Sequence, residues 1–224
     1  MMPIRADLPP LPDRMKHLPA DARGYPVPWF VAFMDDGKPD FRVIRPGGVT
    51  TAIKRNVCWL CGQTLGVHKV FVIGPMCAIN RTTSEPPSHH DCAAFAVKAC
   101  PFMTRPMAKR STADLPPDAQ APAGIHLDRN PGAICMWTTR SFEPFRVRNH
   151  VPASDGLLIQ IGEPESVSWW AEGRAATLAE VKASLDSGMP KLRAIAEQEG
   201  RGALDQLARQ YRDFLPMLPQ GQTQ

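Results

Sequence analysis

The sequence predicts an α+β fold, mainly an antiparallel sheet, closed by a C-terminal helical segment. Three observations carry this. Short apolar runs of strand length recur between turn residues. The last fifty residues change to helical spacing, with caps at the expected places. The 24 prolines cluster, leaving a rich arm at one end and a rich stretch in the middle. At 224 residues, with 43% hydrophobic and 21% charged residues, the chain has the composition of an ordinary globular protein. That excludes wholesale disorder, collagen, a coiled-coil rod and a multi-span membrane protein.

Residues 1–28 hold seven prolines and read as an extended arm, because proline fixes φ and lacks a donor. WFVAFM at 29–34 and FRVI at 41–44, joined by Asp35-Asp36-Gly37-Lys38, read as a hairpin. A cysteine-bearing module completes the unit 29–103. Residues 104–124 carry four prolines among small and polar residues and read as a linker or a long surface loop. Residues 125–224 read as strands followed by three helices, in one domain with 29–103 or in a second. GAICMWTT at 132–139, FRV at 145–147, GLLIQI at 156–161 and SVSWWAEG at 166–173 are the strands. Adjacent strand residues face opposite ways, so at most one of Trp169 and Trp170 is expected at the surface.

Thr177 and Glu180 fit a capping box, starting a helix near Leu178 with Leu178, Val181 and Leu185 as its stripe. Gly188 is expected to stop that helix. Pro190 then opens a second, ending at Gly200. A third carries Leu204, Leu207, Ala208, Tyr211 and Leu215 on one face, up to Pro216 and Pro219.

Net charge is +4, unevenly spread. Residues 58–110 carry six Lys/Arg against two acids, and residues 151–224 carry seven against ten. The basic front favours a polyanion; a scattered, solvated surface is the plainer reading. No run reaches 18 apolar residues, so no transmembrane helix is expected. MMPIRADLPPLPDRMK lacks the apolar centre of a secretory signal, so a cytoplasmic protein is expected. There, six cysteines are expected as thiols or metal ligands rather than disulfides.

Cys58 and Cys61 form C-x-x-C followed by Gly62, a turn that aims two sulfurs at one point. His89 and Cys92 follow Pro86-Pro87-Ser88, with Ser88 as the expected N-cap of a helix running to Cys100. Residues three apart share a helix face, so His89 and Cys92 point together from the first turn. Cys58, Cys61, His89 and Cys92 thus make a Cys3His set suited to one tetrahedral Zn2+ of structural type. Cys77 or His90 in place of His89 stays open. Cys100, about 12 Å along the helix from Cys92, is too far to share the ion. Unliganded thiols, a redox C-x-x-C and an iron–sulfur cluster are the alternatives.

Between the pairs, VHKVFVIG and MCAINRTT read as strands joined by Gly74-Pro75. Knuckle, hairpin, then a helix offering ligands from its first turn resembles the treble-clef zinc finger over residues 58–92. The resemblance implies an embedded treble-clef-like zinc module and no particular activity. The CxxCG, the PPSHxxCA-like helix start and the helical tail together resemble cytosolic proteins of bacteria and their phages.

No phosphate-binding, dinucleotide, nucleophile-elbow, zinc-protease or zinc-deaminase motif is present. The functional expectation is a zinc-stabilised binding or accessory protein, with a nucleic acid or another protein as partner. Lys54, Arg55, Lys69, Arg81, Arg105, Lys109 and Arg110 are the candidate nucleic-acid contacts. The Pro-rich arm and the acidic tail are candidate protein-binding surfaces. One alternative is a hydrolase or nuclease using His68, His126 or Asp128, the last two forming an H-x-D pair that also reads as a plain turn. The other is an iron–sulfur or thiol redox protein.

Overall fold

The computed structural model describes residues 2–106, 108–115, 129–147 and 156–220. His126, Asp128 and residues 107 and 116–124 of the proposed linker 104–124 lie outside the described residues. The described chain mixes helices with three antiparallel sheets, an α+β content. The opening hairpin forms from β1 (Val31–Phe33) and β2 (Pro39–Ile44). A short helix, α1 (Gly48–Arg55), leads from it into the C-x-x-C segment.

The central sheet runs β3 (Lys69–Ile73), β5 (Ile134–Thr139), β8 (Pro164–Ala171) and β9 (Arg174–Ala175), in that spatial order. Its register sets Phe71 opposite Trp137, and Trp137 opposite Val167. Strand alternation gives this sheet two apolar faces. Phe71, Ile73, Cys135, Trp137 and Trp169 point into the larger core, with Val181 and Leu185 of α5 (Leu178–Glu199) and Leu207 and Phe214 of α6 (Arg201–Phe214). Val70, Ile134 and Met136 face the other way, onto Ala93 and Val97 of α3 (His90–Ala99), which a single turn, α4 (Pro101–Thr104), follows. Trp169 is buried, while Trp170 lies on the opposite face with Lys98 5.1 Å from its ring. A three-stranded sheet of β4 (Thr82–Thr83), β7 (Leu157–Ile161) and β6 (Phe142–Arg146) adds Ile159 and Ile161 to the larger core. Two of the three buried indoles find acceptors: Trp137 donates to the Gly162 carbonyl at 3.0 Å and Trp169 to the Met217 carbonyl at 2.7 Å, while the buried Trp59 Nε1 has none among the described residues.

Three expectations are corrected. The segment after β3 is not a return strand. Pro75 opens α2 (Pro75–Asn80), and β3 pairs with β5 instead. Proline suits the first helical position, and the short apolar run Met76–Ile79 fits a buried helix as well as a strand. Gly188 does not stop α5, which continues through Gly188 and Pro190 to Glu199. Gly188 lies where α2 crosses: a methyl there would meet Met76 Cγ at 2.9 Å, so the missing side chain serves close packing. On the face expected for the last helix, Ala208 and, just past the end of α6, Leu215 are exposed, and Phe214 takes the buried place. The capping box at Thr177 and Glu180 forms with both of its hydrogen bonds. No helix among the described residues is long and apolar enough to cross a membrane.

Candidate metal centre

The chain leaves α1 through Asn56 in left-handed conformation and enters a tight turn at Cys58. The Gly62 amide donates to the Cys58 carbonyl at 2.8 Å, closing the turn. Gly62 has φ +74, and a methyl there would lie 2.4 Å from Trp29 Cδ1. Only glycine satisfies both constraints. The turn aims Cys58 and Cys61 inward, and the Cys61 amide lies 3.4 Å from Cys58 Sγ.

The second pair comes from the start of α3. His89, not Ser88, is the N-cap residue, and Cys92 lies in the first turn. Ser88 is occupied otherwise: its amide and carbonyl both bond Val70 of β3, at 2.8 and 2.9 Å. That bridge, with the Trp59 amide bonded to the Pro87 carbonyl at 3.0 Å, brings the helix start against the knuckle. The ligand atoms of Cys58, Cys61, His89 and Cys92 all lie within 4.8 Å of one another, and all four residues are buried. Sulfurs about 2.3 Å from a tetrahedral ion stand about 3.8 Å apart, so the cluster could hold one metal ion.

The histidine is already oriented. Its Nε2 lies 3.0 Å from the Thr64 carbonyl, which can only accept, so Nε2 carries the proton. Nδ1 is left as the ligand atom and faces Cys61 Sγ at 3.4 Å. An outer carbonyl that fixes ring and tautomer is the usual support of a metal-bound histidine. The thiols are mutually frustrated. Hydrogen bonds from the Cys61 and Cys92 thiols and from two backbone amides hold Cys58 far below the usual thiol range. The hydrogen bond to Cys58, with burial, pushes the Cys61 thiol up to about 11, and hydrogen bonds to Cys58 and Cys61 push Cys92 far up. Three sulfurs this close ionise together only around a cation, so the donor set fits a metal.

The Pro-rich arm covers the centre. Met15 and Leu18 are buried with Cys58, Leu60, Cys61, Cys92 and Phe95. Arg14 pairs with Asp91 at 2.9 Å, beside Cys92. On another side, Trp59 stacks on Phe30 at 4.8 Å and meets Trp29 edge-on at 6.3 Å.

The other expected residues are dispersed. His90 is exposed on the first turn of α3, outside the cluster. Cys77 packs against the larger core, where burial pushes its thiol up to about 11. His68 Nδ1 lies 2.6 Å from Glu165, which also accepts from Arg140 at 2.5 Å. Glu165 was missed in the sequence because 97 residues separate it from His68. Lys54 and Arg55 are exposed at the end of α1, and Arg105 and Arg110 are exposed beyond α3. Lys69 donates to the Gly66 and Val67 carbonyls at 3.1 and 3.2 Å. Arg81 bonds Glu163 and lies 5.7 Å over the Trp137 ring. Lys109 forms a backbone bridge with Arg129.

No protein-family model matches the chain, and neither the curated proteins nor the solved structures contain a match to it.

Proposed function

We propose that the chain is a zinc-stabilised binding or accessory protein, with one structural Zn2+ on Cys58, Cys61, His89 and Cys92. The observation that carries this reading is the buried Cys3His set with its histidine already turned by Thr64. Sulfur and imidazole donors in tetrahedral reach suit Zn2+. Four protein donors leave no position for water, so the ion holds structure rather than activating a nucleophile. Its binding free energy adds to folding, tying arm, knuckle and α3 together.

The surroundings read as a treble-clef-like unit with an insertion. The knuckle leads to β3, Val70 pairs with Ser88 just ahead of α3, and α2 and β4 occupy the loop between those strands. Units of this shape carry many functions, so a nucleic acid or a protein as partner is supported by the closed donor set, which leaves no open position for chemistry at the metal. A reducing, cytoplasmic setting suits three thiolates held for a metal.

Elemental analysis of protein purified without added metal tests the reading. One zinc per chain, lost in Cys61→Ser, is expected. Iron with sulfide would move the reading to an electron-transfer or sensing protein, and absence of metal would abandon it. A hydrolase or nuclease reading retains the His68–Glu165 pair. Turnover of a nucleic-acid or ester substrate, abolished by His68→Ala, would favour it.

A further inference from the structure

Residues 41–84 contain no Asp or Glu, yet hold Arg42, Arg45, Lys54, Arg55, Lys69 and Arg81. The fold neutralises or engages three of them. Arg42 pairs with Asp40 at 2.6 Å, Arg81 bonds Glu163, and the Lys69 amine serves backbone carbonyls. Arg45, Lys54 and Arg55 are exposed, and none has an acidic partner among the described residues. Exposed arginines elsewhere are commonly paired: Arg14 with Asp91, Arg140 with Glu165, Arg174 with Glu180, Arg193 with Glu197. The unpaired cations of α5 and α6 lie among acids such as Glu199, Asp205 and Asp213. Outside those helices, two groups of exposed cations therefore lack an acidic partner among the described residues: Arg105, Lys109 and Arg110 beyond α3, and Arg45, Lys54 and Arg55 in the stretch between the hairpin and the knuckle.

This stretch is also the best anchored. The Arg45 guanidinium lies 4.7 Å over the Trp29 ring and donates to the Trp29 carbonyl at 3.1 Å. Trp29 in turn rests against Gly62 and Trp59 of the knuckle. Lys54 and Arg55 occupy the last turn of α1, whose end is fixed to the knuckle by Val57 N to Ala52 O at 3.0 Å and Asn56 Nδ2 to Leu65 O at 3.1 Å. An eight-residue helix spans about 12 Å, so both ends of α1 lie within reach of successive phosphates on one strand.

We propose that Arg45, Lys54 and Arg55 form a binding surface for a nucleic-acid backbone. This rests on the binding-protein reading above but not on the identity of the metal. Charge complementarity selects a polyanion. Arg45 lies against Gly48 at the start of α1 and Lys54 and Arg55 at its end, a spread that suits the repeating charges of a phosphate backbone, and Arg45 has donors beyond the one it gives to the Trp29 carbonyl.

The test is fluorescence anisotropy with a labelled oligothymidylate of about 20 nucleotides across a salt series, with zinc content measured for every variant. Three phosphate contacts give a log–log salt slope of about −2 on a single strand. Lys54→Gln with Arg55→Gln is expected to reduce the slope to about −0.7 and to weaken binding about 10-fold at low salt. Lys182→Gln with Lys191→Gln removes the same charge elsewhere and is expected to change little. Absence of binding at about 100 μM protein in low salt would overturn the proposal. So would equal loss in the control pair, or equal competition by polyglutamate, which would point to an acidic protein partner. Normal zinc content with no binding sinks the surface alone; binding by metal-free protein sinks only the zinc reading.

Discussion

The cluster around Trp137 and the cluster around Cys58 are both closed to solvent, yet they are built from different materials. The first gathers large side chains, among them Phe71, Ile159, Ile161, Trp169 and Phe214, from two sheets and three helices. The second gathers three cysteines and a histidine under Met15, Leu18, Leu60 and Phe95, from an arm, a knuckle and one face of α3. The first has enough apolar area to be stable through burial. The second encloses polar atoms whose protonation states conflict. A region of that kind needs an added interaction, and a metal ion is the one its donors fit.

If that contrast holds, the largest effect should come from removing the metal. Cys61→Ser, or a strong chelator, should abolish amide protection over residues 8–65 and leave the β5–β8 ladder protected. Hydrogen exchange followed by mass spectrometry reads this directly; loss of protection in both regions together would show that one cooperative unit spans them. Next in size is Trp137→Ala, expected to cost about 3–5 kcal/mol in urea unfolding while leaving zinc content intact. Gly62→Ala should cost about 2 kcal/mol, from its left-handed backbone and the displaced Trp29, and should weaken metal affinity as well. A competition titration with a chromophoric chelator checks the second half of that statement.

The smallest effect belongs to the cap of α5. Arg174 first, then the Thr177 amide, holds the Glu180 carboxyl down to about 2 from its usual 4.5. A depressed carboxylate adds stability above the unfolded value, and that stability disappears as pH falls from 4.5 toward 2. The group is partly exposed and its partner Arg174 more so, and solvent screens the pair, so Glu180→Gln should cost no more than about 1 kcal/mol at neutral pH. The difference between variant and parent should vanish near pH 2 in thermal melts.

The Cys3His cluster was legible because its geometry is local. The spacing of Cys58 and Cys61 defines a turn, and that of His89 and Cys92 defines a helix face. The choice of His89 over Cys77 and His90 required the structure, since it depends on the Val70–Ser88 bridge and the Thr64 carbonyl. The capping box and most strands were legible from side-chain chemistry and alternation. The α2 segment was not, because four apolar residues carry no usable period. Gly188 misled because a stop signal and a close helix crossing both ask for a residue without a side chain. The His68–Glu165 pair was invisible, as are most contacts made between strands distant in sequence.

The seating of the arm on the Cys3His cluster has a consequence for how the chain is made. Met15 and Leu18 leave the ribosome well before Cys58, and long before Phe95 and Ala99, which complete their seat. At about 5–20 residues per second, roughly 4 to 17 s separate synthesis of Met15 from that of Ala99. During that interval the arm has nothing to dock on, and the first two sulfurs have no partners. Closure of the centre is therefore a late event in the birth of this region, timed by the arrival of the helix that carries Cys92.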